Sequence, residues 1–356
     1  MTALHTSSTH PRVVHVVPYD GIGGVEIAAR SLRDGLHNGF AFKKHYLVSK
    51  VDPAAAANSQ IKAYQSENDP RAYRRALVHF WALKPDVLIA SLWRSCMVLI
   101  ALKLLRPSTR AVTFLHLATD VHWPDKMLNR LAMWLSTEIW ADSQTTLDAR
   151  VPKTLRDRAR VISFLVERQA EPTLSALGPR FVFWGRLHPQ KGLVRALRLF
   201  ASLRAALPGA TYHLIGPDGG DRCALEQEVK RLGLVDAVFF LGPMDRVSIF
   251  EFARNCSFYL QTSVDEGMAM SVIEAMQLGL VPVVTPVGEI GRYCRDAENA
   301  ILVRHDAHTV KLVSVLLHQP ATYQRMSRAA SATWQAQPLY RDDVVAACTR
   351  LLSQPR

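Results

Sequence analysis

Two carboxylates eight positions apart, in the run Glu266-Gly-Met-Ala-Met-Ser-Val-Ile-Glu274, are the residues of this chain best placed to do chemistry. The first adjoins a glycine on a loop, the second falls inside a short predicted helix, and Val281 to Thr285 reads as the next buried strand. This layout sets two acceptor groups and a helix N-terminus around one small, polyhydroxylated, anionic ligand. Glu274 is positioned to accept both hydroxyls of a ribose, while backbone N–H groups from Met268 to Ser271, including Ala269 and Met270, face phosphate or sugar oxygens. A side chain at Gly267 would fill the sugar's place. Upstream, Gly185-Arg186-Leu-His-Pro-Gln-Lys191-Gly192 follows the strand-like run Phe181–Trp184 and carries a guanidinium and an ammonium five residues apart. Arg offers a bidentate fork and Lys a compact point charge, so both suit one diphosphate. Together the two stretches describe a site for a sugar attached to a nucleoside diphosphate. The plain structural alternatives are acidic residues favouring the positive end of a helix and a pair of solvated surface cations.

Positioning such residues takes a scaffold of strands and helices. From Arg12 the pattern runs strand (Val13–Val17), glycine loop (Asp20-Gly-Ile-Gly-Gly24) and helix (Val25 to Leu36). Strand-like runs follow at His45–Val48, Val87–Ser91, Ala111–Leu115 and Glu138–Ala141, each separated from the next by a segment able to form a helix. Between Leu165 and Gly178 the composition shifts to Glu, Gln, Pro, Ser and Gly, and the alternation then restarts. The expected fold class is α/β, with two Rossmann-like parallel-sheet domains. Residues 1–10 read as a disordered leader, 11–168 as the first domain, 169–179 as a linker and 180–335 as the second domain. Residues 336–356, beginning near Pro338, read as a C-terminal helix that packs back on the first domain.

The bulk numbers narrow the partners. A chain of 356 residues with 49% hydrophobic and 21% charged residues has the make-up of a soluble globular enzyme large enough for two cores. Its five cysteines are scattered and odd in number, with no Cys-x-x-Cys pair, which argues against a disulfide framework or a zinc site and fits a reducing cytosol. The start of the chain lacks the pattern of a signal peptide, and no run approaches the ~20 apolar residues of a spanning helix. A net charge of +12 would be explained by an anionic partner (a substrate, a membrane surface or nucleic acid) or by scattered surface Arg and Lys that serve solubility only. Nucleic acid is disfavoured, because no basic stripe interleaved with stacking aromatics is present. Ser95 to Arg110 and Lys126 to Trp140 mix apolar and basic residues in a way that suits an anionic bilayer, and each reads equally as a core helix, the second more so.

The first glycine loop, Gly21-Ile-Gly-Gly-Val-Glu26, brings Gly23 and Gly24 to the start of a helix that can hold a phosphate, and reads equally as a plain tight turn. A dinucleotide fingerprint is incomplete there. The third glycine position holds Glu26, and Leu47-Val-Ser-Lys lacks the acidic residue that would close the second strand. An NAD enzyme is therefore disfavoured.

Three features stand in order: Gly-Gly-Val-Glu near the N-terminus, Gly-Arg-Leu-x-x-x-Lys-Gly opening the second half, and Glu-x7-Glu running into Ala-Met-x-x-Gly. In this the chain resembles glycosyltransferase family 4, the retaining GT-B enzymes that build glycolipids, lipopolysaccharide, exopolysaccharide and capsule. The likeness is strongest over residues 181–303 and thinner over 12–165. It implies a GT-B fold with two domains facing each other across a cleft. Arg186 and Lys191 would then hold the donor diphosphate, Glu266, Gly267 and Met268 the transferred sugar, and Glu274 the ribose. It also implies a histidine near sugar and acceptor after a mid-sheet strand of the first domain, for which Phe114-Leu-His116 is the candidate. Ala141-Asp-Ser143 resembles the family's serine-containing turn, with a structural role. Two departures concern acceptor and hinge: Gly288-Glu-Ile-Gly-Arg292 has Arg where the family has Glu, and Val161-Ile-Ser-Phe replaces a Pro-Asn-Gly turn.

The resemblance implies transfer of a hexose from a nucleoside-diphosphate sugar to a glycan or lipid-linked glycan. The expected reaction is a same-face displacement in which Arg186 and Lys191 take the place of a metal, so no cofactor is required. The acceptor would sit on the first domain, and the expected location is the cytoplasm, with the inner face of the cell membrane as the surface the chain would meet. Two other readings stay open: a sugar-nucleotide epimerase on the same scaffold, and a non-catalytic module that binds sugar nucleotides or anionic glycans.

Overall fold

The computed structural model describes residues 10–21, 23–49, 66, 68–119, 122–170 and 177–355. Residues 1–9 of the expected leader, Ile22 of the first glycine loop and residues 171–176 of the expected linker lie outside them. The chain divides into two compact units, Met1–Val166 with Pro338–Arg356 and Glu167–Gln337.

The first unit runs β1 (Arg12–Asp20), α1 (Gly24–Ser31), β2 (Gly35–His37), β3 (Phe40–Ser49), α2 (Pro70–Leu83), β4 (Val87–Ser91), α3 (Leu92–Leu105), β5 (Arg110–Leu115), α4 (Trp123–Leu135), β6 (Glu138–Ala141), α5 (Gln144–Arg150) and β7 (Ala159–Val161). Its sheet has the order β2-β3-β1-β4-β5-β6-β7, parallel except for the β2–β3 pair. Central strands of such a sheet are covered on both faces, and β1 and β4 are accordingly near-continuous apolar runs, Val13, Val14, Val16 and Val17 and all of β4 being buried. His15 interrupts β1 as a buried polar residue.

Helix α1 stops at Ser31, five residues short of the expected Leu36, and the strand expected at His45–Val48 begins at Phe40. Asn38 and Gly39 both have positive φ, 42° and 85°, which is what a two-residue hairpin between right-twisted strands requires. The hairpin takes the residues that helical spacing had assigned to α1. A second difference concerns the two basic-apolar segments. Helix α3 is a core helix, burying Cys96, Val98, Leu99 and Leu102 against the sheet. Helix α4, read as the better core candidate, packs Leu128, Ala132 and Leu135 on the same core and leaves Trp123, Met127, Leu131 and Trp134 exposed.

The second unit runs β8 (Arg180–Trp184), α6 (Leu193–Ala206), β9 (Thr211–Ile215), α7 (Arg222–Arg231), β10 (Val238–Gly242), α8 (Arg246–Ala253), β11 (Phe258–Gln261), α9 (Met270–Gln277), β12 (Val281–Val284), α10 (Ile290–Tyr293), β13 (Ile301–Leu302), α11 (Asp306–His318) and α12 (Pro320–Ala332). The final helix, α13 (Tyr340–Ser353), belongs to the first unit. There the Tyr340 N–H donates to Leu165 O at 2.7 Å and Asp343 Oδ2 accepts from the Ser163 N–H at 2.7 Å. The Val161-Ile-Ser-Phe segment thus anchors α13.

All six strands of the second sheet are parallel, in the order β10-β9-β8-β11-β12-β13. Pro282 is tolerated in β12 because β13 pairs only with Val283 and Val284, leaving the proline's missing N–H outside that ladder. The chain winds outwards in one direction from β8 and in the other from β11. The crevice at the carboxyl ends of these two strands is the topological switch point, where open α/β sheets bind ligands. In the first sheet the equivalent point lies between β1 and β4.

Close backbone approach at the second switch point requires glycine. Gly192 has φ 61°, and a Cβ there would lie 2.0 Å from Thr262 O; Gly233, with φ 67°, has open space around it. Gly192→Ala is therefore expected to cost about 3 kcal/mol or more, against about 1 kcal/mol for Gly233→Ala. Urea unfolding of the two variants checks this, and equal losses would show that the approach at Gly192 is not tight.

Candidate functional site

At the switch point the loop after β8 is laced to the loop after β11. Gln190 N–H donors and carbonyl do part of this: its side-chain amide donates to Asp265 O at 2.9 Å, and its carbonyl accepts from the Val264 N–H at 2.9 Å. The Thr262 hydroxyl donates to Gly192 O at 2.7 Å. Lys191 closes a single 3₁₀ turn, Pro189–Lys191, capped by the His188 ring. From there its ammonium donates to Glu266 Oε1 at 2.7 Å. The same oxygen accepts from Gln261 Nε2 at 2.8 Å and from the Ser263 hydroxyl at 2.7 Å. Glu266 is buried, and three donors on one oxygen compensate its desolvation, leaving Oε2 without a partner among the described residues. Lys191 keeps two further N–H donors for a ligand.

Beyond Glu266 the backbone is held from the other side. The Glu289 N–H donates to Gly267 O at 3.2 Å and the Tyr293 hydroxyl donates to Met268 O at 3.0 Å. A Cβ at Gly288, φ 54°, would meet Glu266 O at 1.8 Å. Arg292, in the place of the family's usual Glu, lies 3.9 Å from Glu289 on its own turn. Ala269 adopts φ 53°, an unusual conformation for a residue with a side chain, and caps α9 so that Met270 and Ser271 lead the helix with N–H groups that no earlier turn can satisfy. Such strain persists where the surroundings impose it, and it clusters at ligand sites.

Glu274, on the first turns of α9, accepts from Trp184 Nε1 at 2.9 Å and from Arg246 Nε at 3.1 Å. Burial pushes its carboxyl above the usual carboxylate range, and the Arg246 charge and the two hydrogen bonds pull it part of the way back. Arg246 also pairs with Glu167 at 2.5 Å and lies over the Phe250 ring. Arg186 differs from Lys191: it is exposed, with no hydrogen bond or ion pair found among the described residues. Gly185, φ 146°, lets that loop leave β8. Sequence reasoning missed Trp184, Gln261, Ser263 and Arg246. Trp184 and Gln261 are the last residues of β8 and β11, and their place at the carboxyl ends of switch-point strands is the signal that would have found them.

The remaining predicted site residues belong to the first unit. Gly23 caps α1, accepting the Ile27 N–H at 3.0 Å, and Gly24 is its first residue. Ser143 caps α5 by accepting the Thr146 N–H at 3.1 Å, a structural role. His116 follows β5 and is buried, its Nε2 lying 2.8 Å from Ser91 Oγ at the end of β4. The same hydroxyl lies 2.8 Å from His15 Nε2. One hydroxyl proton serves one ring only, so Ser91 donates to one neutral histidine and accepts from the other. Both Nδ1 atoms are buried without a partner among the described residues. Burial, with Lys44 adding, lowers His15 to about 3, and burial, with His15 and Arg150 adding, holds His116 well below the usual histidine range.

The unfolded histidines take up protons near pH 6.5 and the folded ones resist, so stability is full above that pH and falls as pH drops below it, for His15 by about 1.4 kcal/mol per unit down to about 3. Urea midpoints at pH 7 and pH 5 should therefore lie closer together for His15→Gln than for the wild type; an unchanged gap would place the acid sensitivity elsewhere.

Residues 169–333 match the family model described as Glycosyl transferases group 1. The chain is 29% identical over 193 residues to a D-inositol 3-phosphate glycosyltransferase of Acidothermus cellulolyticus, covering 49% of this chain and 42% of that protein. It is 23% identical over 188 residues to the GDP-mannose:cellobiosyl-diphosphopolyprenol alpha-mannosyltransferase of Xanthomonas campestris, covering 50% and 48%. Each alignment thus spans less than half the length of the relative. Among solved structures, HepE of Anabaena in complex with UDP and glucose superposes with a TM-score of 0.75 over 97% of this chain and 100% of that one, at 17% identity. The chain has the GT-B fold of two Rossmann-like parallel sheets, and its second unit carries the group 1 glycosyl transferase pattern.

Proposed function

We propose that this chain is a retaining glycosyltransferase of family 4, moving a hexose from a nucleoside-diphosphate sugar to a glycan or lipid-linked glycan in the synthesis of cell-surface polysaccharide or glycolipid. One observation carries the reading: Lys191, Glu266, Glu274 and the start of α9 converge at the switch point of the second sheet, beside the exposed Arg186. In this proposal the pyrophosphate takes the Arg186 fork and the two remaining Lys191 donors. The ribose takes lone pairs of Glu274, which Trp184 and Arg246 orient. The transferred sugar takes Glu266 Oε2 and the N–H groups from Gly267 to Met270. The relative whose name pairs GDP-mannose with a polyprenol-linked acceptor supports this substrate class, as does the HepE complex with UDP and glucose.

The step is a same-face displacement. An acceptor hydroxyl oxygen bonds to the anomeric carbon on the face from which the diphosphate departs, the carbon–phosphate-oxygen bond breaks, and the hydroxyl proton passes to the departing phosphate oxygen. Arg186 and Lys191 stabilise the negative charge that grows there, each by about 3–4 kcal/mol. The two cations replace a metal, so no cofactor takes part, and the reaction belongs on the cytoplasmic side of the membrane.

Arg186→Ala is the clean test, because that side chain is exposed and its loss leaves no buried partner. Turnover should fall roughly 100-fold with the fold intact. Lys191→Ala should lower turnover as much, and should also cost about 2 kcal/mol of stability by removing a charged donor from Glu266. Near-normal turnover in both variants would remove the assignment. Chelation by EDTA should leave turnover unchanged; a loss restored by magnesium would contradict the metal-free step. Product analysis with and without acceptor separates transfer from epimerisation of the donor and from binding without chemistry.

A further inference from the structure

Helix α4 is apolar on both sides. Its buried face carries Leu128, Ala132, Met133 and Leu135 beside Asp125 and Asn129, and its solvent face carries Trp123, Met127, Leu131 and Trp134, exposed to 73%, 50%, 48% and 59%. At 100° per residue these four side chains fall within an arc of about 80°, so they form one stripe along the helix. Here two tryptophans, a methionine and a leucine lie on one side of a single helix, more exposed large apolar residues than any other helix shows among the described residues. The two polar residues on the buried side have partners there. Asp125 faces Arg150 at 3.6 Å, and Asn129 donates to the Asp125 carbonyl at 2.9 Å while accepting from Cys96 Sγ at 3.4 Å.

We propose that the outer face of α4 docks on an anionic lipid bilayer. Two features select that occupant over a second copy of the chain or a sugar polymer. Lys126 and Arg130 flank the stripe on one side, both exposed and with no ion pair among the described residues, so the apolar face is edged with cations that match anionic headgroups. Tryptophan at both ends of the stripe is the residue type that settles at the headgroup level, with an apolar ring and one N–H donor. Among the described residues no helix is long and apolar enough to cross a membrane, so the contact would be interfacial. The net charge of +12 adds a long-range attraction to the same surface. The inner face of α4 supplies Asp125 and Asn129 to a cavity of about 30 Å³ that His116 and Trp93 also line. Docking on α4 would therefore bring that cavity within one helix diameter, about 10 Å, of the lipid surface.

The experiment is co-sedimentation with large vesicles of phosphatidylcholine alone or mixed with phosphatidylglycerol, using the full chain, the Trp123→Ser/Trp134→Ser variant and the Lys126→Gln/Arg130→Gln variant. The wild type should bind the mixed vesicles at least about 10-fold better than the neutral ones and release in salt. Both variants should lose roughly 10-fold in binding while keeping the wild-type melting temperature, since the altered side chains are exposed. Acyl chains carrying bromine should quench wild-type tryptophan fluorescence and quench the tryptophan variant less. Wild-type indifference to lipid charge would overturn the proposal, as would full binding by both variants. A dimer in sedimentation velocity that the tryptophan variant dissociates, without any lipid binding, would assign the stripe to a second copy. No nucleotide sugar enters this experiment, so its failure would leave the donor assignment standing.

Discussion

The second unit is organised around a buried carboxylate. Glu266 cannot sit in the crevice between β8 and β11 without donors, and the three it has come from three places: Lys191 on the loop after β8, Gln261 at the end of β11 and Ser263 on the loop that follows. The ion pair therefore does two jobs. It stabilises a charge that burial disfavours, and it holds together two loops that the sheet's winding would otherwise send apart. Remove the pair and the relation between cation, acid and helix start is no longer fixed.

Glycines make that pairing geometrically possible. Gly192 lets its loop pass against Thr262, Gly216 lets the loop after β9 pass against Gly185, and Gly288 lets the loop after β12 pass against Glu266, each with a Cβ position about 2 Å or less from a backbone oxygen. These contacts draw loops from four strands onto one end of the sheet. The site is thus a property of where parallel strands end, and the side chains at those ends repeat the theme in both units: Trp184 and Gln261 in the second, Ser91 in the first, each orienting a titratable neighbour.

Much of this was legible in the residues. Val87–Ser91, Glu138–Ala141, Thr211–Ile215 and Phe258–Gln261 are strands with the bounds that their apolar runs indicate, because buried parallel strands show little alternation and end at polar or glycine residues. The two-sheet class follows from the restart of the pattern after the first unit. Three things were not legible. The β2–β3 hairpin hid behind helical spacing, although Asn38-Gly39 is a turn signal that outranks it. The direction of α4 could not be read, because both of its sides carry apolar residues: Leu128, Ala132, Met133 and Leu135 on the buried side and the tryptophan stripe on the other. The donors that hold Glu266 and Glu274 are ordinary residues whose meaning comes from tertiary placement. Lys191, read as a ligand cation, turns out to be a structural partner of Glu266 as well, a contact between positions 75 residues apart that no local pattern announces.

The central claim is that the second unit's switch point recognises a pyrophosphate through Arg186 and Lys191. Calorimetric titration of UDP, GDP and ADP alongside their monophosphates measures this directly. The account predicts that one diphosphate binds at least about 10-fold more tightly than its own monophosphate, and that the difference disappears in an Arg186→Ala/Lys191→Met variant while the monophosphate affinity is kept. Equal affinities for diphosphate and monophosphate in the wild type, or an undiminished difference in the variant, would contradict it.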